Sequence, residues 1–416
     1  MPPVTYDRGS RRARTLAVSA WVIAGLLGLV ACSTADASSN AHPTWVPQQS
    51  TAPEQIPTPA PPTGAETPPT AGSVPSEPGQ PGQTPPSGPS SSGPSASTSA
   101  GQGTADPNVV ATKLNAPTGL TLLPDRTALV GERTTGRIVD VQETAGHPVK
   151  VVRTLTGLDA SGGGGLLDLA LAPSYAQTGL ILALVTTARD ARVLQFTATG
   201  PVTTLISRIP RGTVNNTGRL LVLANGDILI GTGDAGRADL ASNPASMAGK
   251  VLRIDDLGAP APGNPAATSS VFTSGLANVN GLCLNTTLGT ISAVQAGRTD
   301  RLLPVTAGAT VSTAASVALP AGIGGVGDCA ISSNSLYVTG LKGQDVFRAT
   351  LNAQGKPGAF TGLLKKKYGR LLTVVAATDG SLWLTTSNKD GHGKPVAADE
   401  RVLHIVPTGG GGPSGA

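Results

Sequence analysis

The chain has 416 residues and a formal net charge of +5 at pH 7, with only 3% aromatic and 13% charged residues. Much of the positive excess sits in Arg8 to Arg14 and in Lys365, Lys366 and Lys367, without interleaved aromatics, which argues against nucleic acid as a partner. The three cysteines form no C-x-x-C pair and the four histidines, His42, His147, His392 and His404, are dispersed, which argues against a protein-ligated metal.

Taken in chain order, the first element is an export signal over residues 1–31. Basic Arg8, Arg11, Arg12 and Arg14 precede an apolar run from Leu16 to Val30, which ends in Leu29-Val30-Ala31-Cys32. A branched apolar residue and a small residue before a cysteine suit a peptidase that acts beside a lipidated thiol, so Cys32 is the expected lipidation site. The run is shorter than the roughly 20 apolar residues of a membrane span, and Gly25 and Gly28 interrupt it. Ser10-Arg11-Arg12 carries part of a twin-arginine pattern, and either export route is compatible with it. The expected location is the outer face of the cell membrane, to which the chain is held by its N-terminal lipid.

Residues 32–108 are Pro, Ser, Gly, Thr and Ala with almost no aliphatic side chains, so they cannot bury enough apolar surface to offset the entropy of ordering. This segment reads as a tether, able to hold a domain on the order of 50 to 100 Å away from a membrane. Residues 409–416 read as a tail of the same kind.

Between them, residues 109–408 contain a recurring unit: an apolar strand, a polar turn, a second strand ending in small residues, then a third strand. Units begin near Gly119-Leu120-Thr121, Gly165-Leu166-Leu167, Gly218-Arg219-Leu220, Gly281-Leu282-Cys283, Gly327-Asp328-Cys329 and Leu372-Thr373-Val374, at spacings of roughly 46 to 63 residues. Turn chemistry repeats with them, as Pro124-Asp125, Asn225-Gly226-Asp227 and Asp379-Gly380. The pattern predicts an all-β domain, a six-bladed β-propeller of four-stranded antiparallel blades. Cys283 and Cys329 occupy the same register of adjacent innermost strands in a compartment that permits oxidation, so a Cys283–Cys329 disulfide is expected.

Gly231-Thr232-Gly233-Asp234-Ala235-Gly236, with Asp255 about 20 residues on, imitates a dinucleotide-binding fingerprint. The helix that should follow would carry Asn243-Pro244 in its middle, where proline costs about 3 kcal/mol. These glycines therefore read as a tight loop at a blade end.

The segments NNTGRL, ILIGTGDAG and MAGKVLRI, within residues 215–254, resemble the third blade of the quinoprotein glucose/sorbosone dehydrogenases, which are PQQ-dependent six-bladed propellers. GLLDLALAPSYAQTGLI, SGLANVNGL, TGLKGQDVFRA and VVAATDGSLWLTTSNKDG resemble other blades of that family in order, so the similarity spans nearly the whole domain. The resemblance implies a sugar placed over PQQ on the propeller axis, with a histidine as general base and hydride passing to the quinone. It further implies basic side chains on the quinone carboxylates and Ca²⁺ bound by backbone carbonyls of a Gly-Pro pair.

Carried over residue by residue, the resemblance places the family's histidine at Asn215, whose amide cannot take up a proton near neutral pH. Asp234 keeps its place as the partner of the base. The arginine of R-N-P-Q-G falls on Ala277, and its asparagine survives as Asn278. The Gln or Glu before G-L-L-G falls on Gly163, and no Gly-Pro pair occurs near Gln295-Ala296-Gly297. Of two arginines in the sixth blade, the first matches Arg370 and the second falls on Leu372. Asn278, Lys342 and Arg370 are thus the candidate cofactor contacts, and Asp234 and Asn215 mark the catalytic position. Each survivor also has a structural reading, as a loop acceptor, a solvated strand end or an ion-pair partner.

Three functions are compatible with this pattern. Loss of the base favours a non-catalytic propeller on a lipid tether that binds a sugar, a glycan or a protein partner. The alternative is an active PQQ- and calcium-dependent aldose dehydrogenase with an altered site. A lactone hydrolase would need a calcium-binding set of Asn, Asp and Glu around the axis, which Asp234 and Asn278 alone do not make.

Overall fold

The computed structural model describes residues 106–407; the expected signal, Cys32, most of the tether and the tail lie outside them. Among the described residues no helix is long and apolar enough to cross a membrane. Six four-stranded antiparallel sheets follow one another along the chain. Their first strands are Pro117–Leu122, Leu166–Leu171, Gly218–Val222, Val279–Asn285, Val326–Ser332 and Leu371–Ala376, which open blades 1 to 6. Each of these strands lies beside the first strand of the next blade, and that of blade 6 lies beside that of blade 1. The ring is closed, and the expected six-bladed propeller is the observed fold.

Burial explains the sequence pattern. Second strands such as Ile181–Thr186, Ile228–Thr232 and Leu382–Thr386 are buried along their whole length. A strand covered on both faces by neighbouring blades has no polar side to present, so it reads as a continuous apolar run instead of an alternating one. The fourth strand of blade 1, Lys150–Thr154, contains no buried residue and is rich in polar side chains. Six apolar clusters fill the six interfaces between adjacent blades, for example Leu182, Leu184 and Val193 of blade 2 against Ile228, Ile230 and Leu252 of blade 3.

The hairpin turns act as their composition predicts. Asp125 Oδ1 accepts from the Thr127 amide at 3.1 Å, and Asp379 Oδ1 from the Ser381 amide at 2.9 Å. Gly226 and Gly380 hold φ of 90° and 84°, a region open to glycine at no steric cost. The glycine-rich 231–236 segment begins in the strand Ile228–Thr232 and continues as a loop from Gly233, followed by a helix of only five residues, Ala238–Ser242, that ends at Asn243. Lys250, fully buried, anchors this short helix and the turn after it by donating to the carbonyls of Leu240, Ala241 and Ala248 at 2.7 to 2.9 Å.

The repeat predicts a closed ring but does not name the strand that closes it. The short strand Val109–Ala111 pairs with Val402–Ile405, so the start of the domain supplies the outermost strand of blade 6.

Candidate functional site

The first strands line the propeller axis, and their side chains divide it into two chambers. The upper chamber, where these strands begin, has a volume of about 230 Å³ and includes Thr118, Arg133, Gly163, Arg219, Leu372 and Asp390 in its wall. The lower chamber is about 420 Å³ and is walled by side chains such as Leu120, Leu171, Val222, Leu284 and Ile331. Arg219 borders both.

The partition is ionic. Arg219 is 8% exposed; its Nε lies 3.6 Å from Asp328 Oδ1, and a terminal nitrogen donates to the Leu167 carbonyl at 3.1 Å. Asp168 and Asp328, also buried, flank it from blades 2 and 5. Burial raises the Asp168 carboxyl to about 6, opposed by the Arg219 charge and by the Leu220 amide, which donates to it at 2.8 Å. Asp328 is raised to about 7 by burial, with Arg219 opposing and the Asp168 charge adding to the rise. Cys283 and Cys329 line the lower chamber and are joined by the expected disulfide, their Cα atoms 5.8 Å apart.

Asn215, Asp234 and Asn278 come together on the blade 3 and blade 4 side of the upper end. Asn215 has a φ of 55° and donates from Nδ2 to Asp234 Oδ1 at 2.9 Å. The same oxygen accepts from the Gly236 amide at 2.8 Å, and the Asp234 amide donates to the Ala277 carbonyl at 2.8 Å. Asn278 Oδ1 accepts from the Thr217 hydroxyl at 2.6 Å. Gln295 Oε1 accepts from the amides of Ala277 at 2.8 Å and Asn278 at 3.4 Å. The two asparagines and the aspartate therefore knit loops of adjacent blades.

Arg370 and Lys342 lie apart from that group, on the blade 5 and blade 6 side. Arg370 is 7% exposed and directs Nε and a terminal nitrogen at Asp390 Oδ2, at 2.8 and 2.7 Å. It also donates to the Leu341 carbonyl at 3.3 Å. Lys342 is exposed, and its backbone amide bonds to the Gly324 carbonyl at 2.7 Å. Among the described residues its ammonium makes no ion pair within 4.0 Å.

These residues do not fit the constellation that the resemblance implies. At the base position an amide donates to Asp234, so no atom there can accept a substrate proton. Arg370 is already neutralised by Asp390, and Ala277 and Leu372 offer no charge for a carboxylate. The Gln295 amide oxygen is already committed to two backbone amides. Among the described residues there is no group of three or more His, Cys, Asp or Glu that could hold a metal ion.

Arg133, Asp168, Arg219, Asp328 and Asp390 were not singled out from sequence. A faint signal existed: Asp168 and Asp328 each interrupt an otherwise apolar strand, LLDLAL and VGDCAIS.

Comparison with known proteins adds the lineage. No curated protein matches the chain. The sequence model of the Glucose / Sorbosone dehydrogenase family matches residues 114–309. The PQQ-bound aldose sugar dehydrogenase of Streptomyces coelicolor is 30% identical with a TM-score of 0.65, over 71% of this chain and 95% of that one. A glucose dehydrogenase-type oxidoreductase from Thermus thermophilus is 28% identical with a TM-score of 0.65, over 72% and 98%. The soluble aldose sugar dehydrogenase of Escherichia coli, in its apo form, shares the fold at 21% identity and a TM-score of 0.59, over 73% and 99%. The family-model match, together with 30% identity to the Streptomyces coelicolor enzyme over 95% of its length, places the chain in the glucose/sorbosone dehydrogenase family.

Proposed function

We propose that this chain is a cell-envelope lipoprotein whose glucose/sorbosone dehydrogenase-like propeller binds a ligand at its upper axial chamber without oxidising it. The observation that carries the reading is the Asn215 amide hydrogen-bonded to Asp234 where the family's base is expected. Loss of one general base typically lowers a rate by ~10² to 10⁴. Here the anion clamp is reduced as well, since Arg370 is tied to Asp390. A sugar, a glycan or a protein partner is the class of ligand this reading allows, with the membrane reached through lipid on Cys32.

The second reading, an active PQQ-dependent aldose dehydrogenase, is favoured by one finding: the Streptomyces coelicolor relative is a PQQ-bound enzyme. Dye reduction by the full chain, supplied with PQQ and Ca²⁺ across an aldose panel, separates the two. The expected result is no turnover above background; sugar-dependent reduction by the unaltered chain would sink the non-catalytic reading. The anchor is tested by labelled palmitate, which should be incorporated by the wild-type chain and not by Cys32→Ser. Equal labelling of both would remove Cys32 from its role.

A further inference from the structure

We propose that the upper axial chamber selects a small ligand bearing a carboxylate, which pairs with Arg133 in the space beside Gly163. This rests on the ligand-binding reading given above and narrows it to a chemical class.

The charges around the chamber point to an anion. Its charged side chains are Arg133, Arg219 and Asp390. Arg219 is met from below by Asp328 and Asp168, and Asp390 is held by Arg370. Arg133 is left over. It is half-buried, makes one hydrogen bond, to the Gly164 carbonyl at 3.1 Å, and has no carboxylate within 4.0 Å among the described residues. A guanidinium carries five donors, and four of these are unmatched. Burial depresses its pKa, with only the more distant Asp390 charge opposing. An anionic group arriving beside it would relieve that penalty.

Space is available at the same place. Gly163, where the family carries Gln or Glu, has a φ of 84°, and a Cβ built on it would meet nothing within 4 Å. The opening lies next to Gly164, the acceptor of the Arg133 bond. One further polar atom at the chamber is buried and has no hydrogen-bond partner, Asn280 Oδ1, an acceptor, while Arg219 Nε is turned to Asp328 at 3.6 Å. Leu167, Val279, Leu341 and Leu372 supply apolar wall, beside the hydroxyl-bearing Thr118, Thr217 and Ser387. Apolar walls with a few converging polar groups are the usual build of a small-molecule site. A sugar acid meets this set, offering a carboxylate to Arg133, a hydroxyl to Asn280 Oδ1, and C–H faces to the leucines.

Titration calorimetry on the full chain tests the idea with D-glucuronate, D-glucose and PQQ, itself a tricarboxylate. Glucuronate is expected to bind, and glucose at equal concentration not to compete. Arg133→Gln should weaken the carboxylate ligand about 10- to 100-fold, the loss typical of a charge-assisted contact, while the ligand-free melting temperature stays unchanged. Arg133→Lys should keep part of the affinity, which separates loss of charge from loss of fold. If PQQ alone binds, the chamber holds the quinone of the family and the sugar-acid reading is overturned. The proposal is overturned if Arg133→Gln binds the carboxylates as tightly as wild type, if glucose binds as well as glucuronate, or if none of the three binds. Glucose bound without oxidation would leave the ligand-binding reading standing while removing this one. Dye reduction would do the reverse, provided that binding still depends on Arg133.

Discussion

The two ends of the propeller axis have been built on different terms. At the upper end the residues expected to handle a sugar and a quinone are small, apolar or neutral: Gly163, Asn215, Ala277 and Leu372. Lower down, two carboxylates and a guanidinium sit out of water and a disulfide joins blades 4 and 5. The expected polar residues are replaced at one end, an ionic trio sits toward the other, and the ring is intact. The reason lies in where stability comes from. The six apolar clusters lie between blades and reach the axis only through inner members such as Leu167 and Val279, so polar axial side chains can change while the sheets stay packed.

That contrast can be broken most sharply at Arg219. Replacing it with Leu leaves Asp168 and Asp328 buried without a counter-charge, and breaking such a set typically costs about 3 to 5 kcal/mol. Urea unfolding at pH 8 should show the full loss. The pH dependence fixes the sign: both carboxyls are raised in the folded protein, to about 6 and about 7, above the unfolded value. Their contribution favours folding at low pH, where both are protonated, and is lost as pH rises through 6 and 7. The Arg219→Leu deficit should therefore shrink at pH 5, and an equal deficit at both pH values would show that the trio is not ionic. A smaller effect is expected from Cys283→Ala with Cys329→Ala. Opening a link between residues 46 positions apart should remove about 2 to 4 kcal/mol. If that double variant unfolds at the same urea concentration as wild type, the lower end owes its rigidity to packing alone.

How much of this was legible beforehand differs between ring and axis. Strand order and turn positions follow from local chemistry, since Asp125, Asn225 and Asp379 each cap their own hairpin. The disulfide was legible because Cys283 and Cys329 sit at equivalent places in successive repeats. The Asp168–Arg219–Asp328 trio was not, because its members come from three blades and meet only after the circle closes. Arg370 shows the same limit: its partner Asp390 lies in the following hairpin, and nothing local in the sequence links them.

The seam formed by Val109–Ala111 and Val402–Ile405 has a consequence for biogenesis. A polypeptide that emerges from its N-terminus onward presents the first half of this seam at the outset and the second half almost last. Blades can form their own hairpins as they emerge, but the circle must wait for complete delivery of the chain. Until then Val109–Ala111 is an unpaired strand and the outward face of blade 1 is uncovered apolar surface, the kind that sticks to other chains. Loss of the last few residues of the domain would therefore leave a permanently open horseshoe, prone to aggregation or proteolysis, instead of a slightly shortened disc.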